Sequence, residues 1–359
     1  MRVAFITRST LYKVPGGDTV QVSHTAKFLR ELGAEIDVCL TSDPIDYSRY
    51  DLFHYFNIIR PSDILFHIKK SNKPFVVSPI LIDYSEYDRH HRKGISGLLL
   101  RSLSSNGQEY TKTVARWLAN KDKMKSKSYL LKGQRRSIRQ ILEHAAVVLP
   151  NSETEYTKVE EWFGVKKEYK VVPMGVDSNL FSSGETHTKD DTVVLCAARI
   201  EGVKNQLNLI RALNNTKYTL LLVGSPAPNQ KSYYHECQKI AANNVHFRDH
   251  VPQETLVSFY RQAKVHALPS WFETCGLSSL EAAAMGCNIT ITEKGYTREY
   301  FGNDAFYCDP GSPESIFHGI ENAANSACQT GLQQKILLNY TWQTAARITS
   351  EAYNKIISS

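Results

Sequence analysis

The chain has 359 residues and a formal net charge of +7, with 42% hydrophobic and 22% charged residues. This length predicts two domains, and the composition is ordinary for a globular protein. No apolar run comes near the roughly 18–20 residues that span a bilayer, and the first one, at 3–6, is too short for a signal-peptide core. The seven cysteines are scattered and include no Cys-x-x-Cys pair, so we expect free thiols in a cytoplasmic protein.

Strands and helices alternate along the first half of the chain. A strand at 2–7 precedes the glycine pair Gly16-Gly17 and a helical pattern from about Asp18 to Leu32. Further strands are predicted at 34–40, 51–56, 74–79 and 146–150. This alternation predicts a parallel sheet covered by helices on both faces, and we assign residues 1–175 to the first domain.

A basic helical segment, roughly 86–140, interrupts this series. From Arg89 to Gln140, fourteen lysines and arginines stand against two acids, so the stretch carries +12. Such a stretch attracts phosphates, whether of nucleic acid or of anionic lipid. Apolar residues at 94–103 lie beside several of these cations. An anionic membrane surface is therefore an expected partner, and a merely solvated charged helix is the alternative.

A second alternating series follows a polar stretch at 182–191, which we interpret as the linker between the domains. Its strands are predicted at 193–199, 218–224, 244–249, 264–270 and 287–292. We assign residues 176–340 to this second domain, and the last helical pattern runs from Thr341 to Ile357.

Residues 269–286, PSWFETCGLSSLEAAAMG, are the most informative stretch of the chain. The order is a strand end, a loop with Glu273, a turn at Gly276, and a helix whose second turn carries Glu281. A helix entered through glycine leaves backbone N–H groups that suit a phosphate. Carboxylates on either side accept hydrogen bonds from hydroxyl groups. A nucleotide-sugar offers this combination of groups.

Two cations follow the strand predicted at 193–199: Arg199 ends it, and Lys204 comes five positions later. Strand ends at the carboxyl edge of an α/β sheet line the ligand crevice. Two positive charges there would neutralise a departing diphosphate. A solvated basic loop is the alternative interpretation.

These motifs together closely resemble the E-x7-E signature of retaining glycosyltransferases with the GT-B fold, the "group 1" or family 4 class. The resemblance implies two doubly wound, Rossmann-like α/β domains that face each other across a cleft, with residues 341–359 packing back on the first domain. It implies that Glu273 bonds the transferred sugar and that Glu281 bonds the ribose. It also implies that Arg199 and Lys204 hold the donor diphosphate.

The same resemblance extends to further residues. It implies that Gly16 and Gly17 lie beneath the donor phosphates, with Asp18 as a weaker candidate for contact with the acceptor or sugar. The remaining donor-binding residues that it implies are Thr274, Cys275, Gly276 and Leu277 near the phosphate and Val251 near the base. Many relatives carry a histidine just after the strand at 74–79, and this sequence has none there. Asp83 either takes over its contacts to the sugar or acceptor, or caps a helix.

The expected activity is that of a retaining hexosyltransferase that uses a nucleotide diphosphate-sugar and a saccharide or lipid-linked saccharide acceptor, in bacterial surface polysaccharide synthesis. No Asp-x-Asp and no cysteine–histidine cluster occurs in the sequence, so we expect neither a metal nor another cofactor. The alternative is a non-catalytic module that binds nucleic acid or anionic lipid through the basic segment. Its aromatic residues are too sparse for base stacking, so we expect no nucleic-acid partner. The expected location is cytoplasmic, peripheral at the inner leaflet of the cell membrane.

Overall fold

The computed structural model describes residues 1–90, 107, 110, 111, 126, 128–182 and 188–358. Most of the predicted basic segment lies outside these residues, as does the middle of the predicted linker. The chain divides into two compact units. The first unit comprises Met1–Leu81, Gly94–Met174 and Trp342–Ser359. The second unit comprises Ile82–Lys93 and Gly175–Thr341.

The strands of the described residues follow the sequence prediction closely. They are β1 (Arg2–Thr7), β2 (Glu35–Leu40), β3 (Leu52–Phe56), β4 (Phe75–Ser78), β5 (Val147–Val148), β6 (Asp190–Ala197), β7 (Thr219–Val223), β8 (Val245–Arg248), β9 (Ala263–Leu268), β10 (Asn288–Thr292) and β11 (Phe306–Cys308). Among these strands, only β11 was not predicted, because three residues are too few to show a strand period.

The helices of the described residues are α1 (Gly17–Glu31), α2 (Pro61–Ser71), α3 (Ser85–His90), α4 (Ser128–His144), α5 (Glu153–Phe163), α6 (Gln206–Leu213), α7 (Lys231–Ile240), α8 (Gln253–Gln262), α9 (Leu277–Ala284), α10 (Thr297–Phe301), α11 (Pro313–Asn325), α12 (Thr330–Asn339) and α13 (Trp342–Ile357). Gly133 breaks α4, since its backbone (φ 71°, ψ −177°) is not helical. A short 3-10 turn, Gly202–Lys204, joins β6 to α6.

The first unit contains a five-stranded parallel sheet in the order β2-β1-β3-β4-β5. All residues of β3 and β4 are buried, as expected for central parallel strands covered on both faces. Helix α13 completes this unit. Its Trp342 stacks on His24 of α1 with ring centres 5.1 Å apart, and the Tyr353 hydroxyl lies 2.5 Å from His54 Nδ1. Burial lowers the pKa of His54 to about 3, so this imidazole is neutral at physiological pH.

The second unit contains a six-stranded parallel sheet in the order β11-β10-β9-β6-β7-β8. From β6 the chain winds outwards through β7 to β8, and from β9 it winds the other way through β10 to β11. The adjacent strands β6 and β9 therefore form a topological switch point, where ligands bind at the carboxyl ends of the strands in open α/β sheets.

Residues 82–90 pack with the second unit, although they were predicted to belong to the first domain. Three contacts explain the difference. Glu86 forms an ion pair with Lys294, and the Tyr84 ring meets the Phe272 ring edge-on at 6.3 Å. The Tyr87 hydroxyl lies so close to Gly202 that a Cβ there would be 1.8 Å from it.

The described residues include no helix that is both long enough and apolar enough to cross a membrane.

Candidate active site

The loop after β6 carries the two predicted cations of the second unit. Asn205, in the left-handed region (φ 61°), ends the 3-10 turn and begins α6, a conformation that asparagine tolerates better than most residues. Its buried side-chain amide donates hydrogen bonds to the carbonyls of Pro269 (3.0 Å) and Pro310 (2.7 Å). Asn205 therefore ties the loop that carries Lys204 to the loop after β9.

Backbone hydrogen bonds hold the loop after β9 in place. The Trp271 amide donates to the Val203 carbonyl at 2.9 Å, which is a second link to the 3-10 turn. The Glu273 amide donates to the Lys294 carbonyl at 3.0 Å, and the Glu273 carbonyl accepts from the Tyr296 amide at 2.9 Å. These bonds hold both sides of Glu273, so its side chain projects from a rigid backbone.

Lys204 and Glu273 meet at the switch point. The distance from Lys204 Nζ to Glu273 Oε1 is 2.5 Å, and the side chains are 19% and 7% exposed. Burial lowers the pKa of Lys204, but the charge of Glu273 and its hydrogen bond more than offset this, so that the pKa is raised overall. Lys204 therefore carries a permanent positive charge in a largely desolvated place, where electrostatic effects are stronger than in water.

Arg199 is placed differently from Lys204. Its Nη2 donates to Glu201 Oε1 at 2.8 Å, and its side chain is 40% exposed while that of Glu201 is 15% exposed. The Arg199 carbonyl accepts from Gln206 Nε2 at 2.9 Å, so α6 holds the backbone of this loop. Arg199 thus offers a more solvated charge than Lys204, and its pairing with Glu201 was not expected from the sequence.

Glu281 lies on the second turn of α9, as the sequence analysis predicts, and is only 8% exposed. Its Oε2 accepts from the Tyr260 hydroxyl at 2.9 Å and its Oε1 accepts from Gln253 Nε2 at 3.1 Å. Burial raises the pKa of Glu281 to about 7, although both hydrogen bonds oppose this rise. Each carboxylate oxygen still has a second lone pair, so hydroxyl groups of a ligand remain acceptable partners.

Helix α9 begins at Gly276, which caps it in the left-handed region (φ 71°, ψ 73°). A Cβ at this position would lie 3.0 Å from Ile291 Cδ1, so both the backbone conformation and the space favour glycine. The helix starts at Leu277, and the first amides of a helix lack intrahelical acceptors. Thr274 is partly exposed and Cys275 is buried in the preceding turn.

Val251 follows β8 and is partly exposed. The neighbouring His250 amide donates to Ser225 Oγ at 3.2 Å, so the loops after β7 and β8 lie side by side. This places Val251 at the carboxyl edge of the sheet that carries Lys204 and Glu273.

The glycine pair and Asp18 belong to the first unit. Gly16 caps α1 with an extended backbone (φ −155°) that any residue adopts. Both carboxylate oxygens of Asp18 accept from Arg8, at 2.5 Å and 2.9 Å. Arg8 also donates to the carbonyls of Thr10 and Val14. Asp18 therefore organises its own loop through Arg8, which the sequence analysis did not foresee.

The side chain of Asp83 accepts a hydrogen bond at the start of a helix, as in the helix-cap alternative, and its contact with a sugar or acceptor stays a prediction. Its Oδ1 accepts from the Ser85 amide at 2.9 Å, just where α3 begins. The neighbouring residue, Tyr84, lies close enough to Lys204 and Glu273 for their charges to act on its hydroxyl group. Burial raises the pKa of Tyr84 to about 12, and the charges of Lys204 and Glu273 act on it in opposite directions. The sequence did not predict a role for Tyr84, because no local pattern indicates that its segment packs with the second unit.

Gly295 is another residue that sequence reasoning missed. Its backbone (φ +114°) runs beside Glu273 in a parallel bridge. A Cβ at residue 295 would lie 1.9 Å from the Glu273 carbonyl oxygen. A single glycine after a strand often marks a place where another backbone comes close. The sequence does not identify that second backbone.

We expect Gly295→Ala to lower the free energy of unfolding by at least about 2 kcal/mol, since it combines backbone strain with a clash against main-chain atoms. Urea unfolding would measure this loss. Gly331→Ala in α12 is the matched control, because a Cβ there meets nothing within 4 Å and should be neutral or slightly stabilising. Equal stabilities for the two variants would contradict the prediction.

Within the described residues, no group of three or more histidine, cysteine, aspartate or glutamate side chains is arranged to hold a metal ion.

The chain matches a known family model over part of its length. Residues 178–335, somewhat under half of the chain, match the model described as "Glycosyl transferases group 1". A D-inositol 3-phosphate glycosyltransferase from Acidothermus cellulolyticus is 26% identical over 171 residues, which cover 41% of this chain and 38% of that protein. An MMP alpha-(1->4)-mannosyltransferase from Mycolicibacterium hassiacum is 25% identical over 238 residues, which cover 63% of this chain and 57% of that protein. The match thus spans between 38% and 57% of the length of these two relatives.

The chain is similar over its whole length to solved structures of other proteins. Sucrose-phosphate synthase from Thermosynechococcus elongatus superposes with a TM-score of 0.74 at 15% identity, covering 100% of this chain and 99% of the other. HepE from Anabaena, solved in complex with UDP and glucose, gives a TM-score of 0.67 at 16% identity and covers 100% of both chains. At 15% and 16% identity, this structural similarity is evidence for the fold alone. The predicted fold class, two doubly wound α/β domains of the GT-B type, is confirmed, and so is the resemblance to group 1 over the matched range.

Proposed function

We propose that this chain, whose residues 178–335 match the group 1 glycosyl transferases, moves a hexose-type sugar from a nucleotide diphosphate donor to a saccharide or lipid-linked saccharide acceptor. The curated relatives are named as transferases for inositol phosphate and mannosyl substrates, and HepE was solved with UDP-glucose. These names support a nucleotide-sugar donor and a hydroxylated acceptor for this chain as well. A role in bacterial surface polysaccharide synthesis is part of the proposal.

The buried Lys204–Glu273 pair at the switch point is the observation that carries the proposal. A lysine that is held protonated at the carboxyl edge of the sheet suits a diphosphate. The glutamate beside it accepts hydrogen bonds from sugar hydroxyls. The amides at the start of α9 add phosphate donors, and Glu281 on the same helix suits the ribose.

The proposed reaction retains the configuration of the sugar. The bond between the anomeric carbon and the diphosphate oxygen breaks, and the electron pair leaves with the diphosphate. The acceptor oxygen attacks on the same face, and its proton passes to the departing phosphate oxygen. Lys204 and Arg199 stabilise the negative charge that develops on the diphosphate. No metal takes part in this scheme, because Lys204 and Arg199 supply the positive charge that the diphosphate needs.

A panel of UDP-, GDP- and ADP-sugars tests the proposal by thermal unfolding. One of them is expected to stabilise the purified protein by about 2.7 kcal/mol when it is present at a hundred times its dissociation constant. The free sugars at the same concentrations are the control, since they lack the diphosphate that Lys204 attracts. If no member of the panel stabilises the protein or is consumed in the presence of acceptors, the proposal is wrong.

A further inference from the structure

A second pocket of the second unit lies beside the loops that carry Lys204 and Glu273. It encloses about 320 Å³ and is lined by residues of α3, the 3-10 turn, α6 and α7. Gly202 and Trp271 are among its lining residues, and each stands two positions before a member of the Lys204–Glu273 pair. The pocket therefore shares both loops with the proposed donor site, but neither glutamate of that site lines it.

The chemistry of this lining is distinctive. Of the lining residues that the structure describes, only Leu207 has an aliphatic side chain. The others are mostly aromatic, amide or hydroxyl side chains. The formal charges are those of Arg211 and Glu236, which cancel. A net-neutral pocket gives little attraction to a phosphate or another anion.

Polar groups and aromatic rings together suit a saccharide. The partly exposed rings of Tyr87 and Tyr233 offer apolar surface to the C–H face of a sugar. The exposed amide of Asn229 and the Arg211 guanidinium offer hydrogen bonds to its hydroxyls. Asn208 Oδ1 accepts from Arg211 Nη1 at 2.9 Å. The volume lies at the lower end of the range of ligand sites, about 300–1,000 Å³, and this suits a mono- or disaccharide.

The wall formed by Tyr87 depends on a glycine. The Tyr87 hydroxyl occupies the space that a side chain at Gly202 would fill. Gly202 is not among the glycines with a positive φ, so its backbone does not require glycine. The absent side chain instead makes room for Tyr87, which brings α3 against the pocket. This close fit indicates a built wall rather than an accidental gap.

We propose that this pocket binds a neutral saccharide, namely the part of the acceptor chain that lies behind the reacting hydroxyl. In this form the inference rests on the proposed transfer reaction. Because the pocket shares its loops with the Lys204–Glu273 pair, a bound sugar chain would extend from the pocket towards the donor. The pocket would then select acceptors by their second or third sugar unit.

Saccharide binding in the absence of a donor tests this inference. Saturation-transfer NMR would be recorded with methyl glycosides of glucose, mannose, galactose and N-acetylglucosamine, and with maltose and cellobiose. Ser232 is exposed and lines the pocket, so Ser232→Trp fills it without removing a core contact. Lys239→Trp, exposed on the same helix and outside the pocket, is the matched control.

We expect at least one saccharide to bind the wild type and the Lys239 variant alike, and to bind the Ser232 variant at least tenfold more weakly. Tyr87→Ala is a second variant with the same expected loss, should the tryptophan impair folding. The inference is overturned if no saccharide of the panel binds, or if it binds the Ser232 and Tyr87 variants as it binds the wild type. Saccharide binding without any response to nucleotide-sugars would overturn the proposed donor reaction alone. A nucleotide-sugar response without saccharide binding would overturn this inference alone.

Discussion

Replacement of Lys204 by alanine is expected to lower turnover about 100- to 1,000-fold, the loss typical when one preorganised group that stabilises developing charge is removed. The ammonium group is largely buried against Glu273, so water cannot substitute for it easily. Donor affinity should also fall, because the diphosphate loses the cation that attracts it and meets the unpaired carboxylate of Glu273 instead. Arg199→Ala is expected to cost less, since the Arg199 side chain is 40% exposed and already pairs with Glu201.

Steady-state kinetics with the donor identified by the panel would measure these effects. Arg298→Ala is the control for a lost cation of the same unit, because Arg298 and its partner Glu293 are both more than half exposed and such pairs contribute little. Turnover of wild type should also persist in excess EDTA. Full activity of the Lys204 variant would contradict the proposed role of the lysine. Inactivation by EDTA that manganese or magnesium reverses would contradict the metal-free scheme.

The second large expected effect concerns Glu281 and pH. The pKa of Glu281 is raised from 4.5 to about 7 by burial. Between these two values the folded protein holds a proton that the unfolded chain releases, so the free energy of unfolding falls as the pH rises. A rise of this size corresponds to a loss on the order of 3 kcal/mol across the window. Below pH 4.5 the contribution is fully present, and above about pH 7 it is fully lost.

Glu281→Gln should remove this pH dependence, since the amide does not titrate and still accepts from the Tyr260 hydroxyl. Urea unfolding at several pH values between 4.5 and 8 would compare it with wild type, and Glu293→Gln, an exposed glutamate, is the control. Donor affinity of wild type should increase as the pH rises towards 7, because ribose hydroxyls donate better to a carboxylate than to a carboxylic acid. Parallel pH curves for wild type and the Glu281 variant would show that Glu281 does not titrate in this range.

The sequence predicts the sheets well because buried parallel strands are short apolar runs between turn signals. It also predicts that Lys204 and Glu273 lie at strand ends, since each follows such a run. It does not predict their ion pair, because 69 residues separate them and only the strand order brings β6 beside β9. The pairing of Arg8 with Asp18 was missed for another reason: a charge next to a glycine pair looks the same whether it meets a ligand or its own loop.

Tyr84 and Gly295 illustrate a different limit of prediction from the sequence. Each acts through a contact with a distant backbone or side chain, and neither belongs to a local period or motif. Glu281 shows a third limit, because the sequence places it on the helix but says nothing about Tyr260 and Gln253, which occupy its carboxylate. The chemical environment of a predicted residue thus depends on neighbours that only the fold supplies.

The segment that carries α3 has a consequence for modularity. The second unit is assembled from two separate stretches of the chain, Ile82–Lys93 and Gly175–Thr341. Any recombination event, natural or engineered, that moved the longer stretch alone into another protein would leave Tyr84, Glu86 and Tyr87 behind. The exchanged unit would then meet a foreign residue against Gly202 and Lys294. The two units of this protein are therefore not inherited as independent blocks, and the smallest portable second unit includes the short stretch from the first half of the chain.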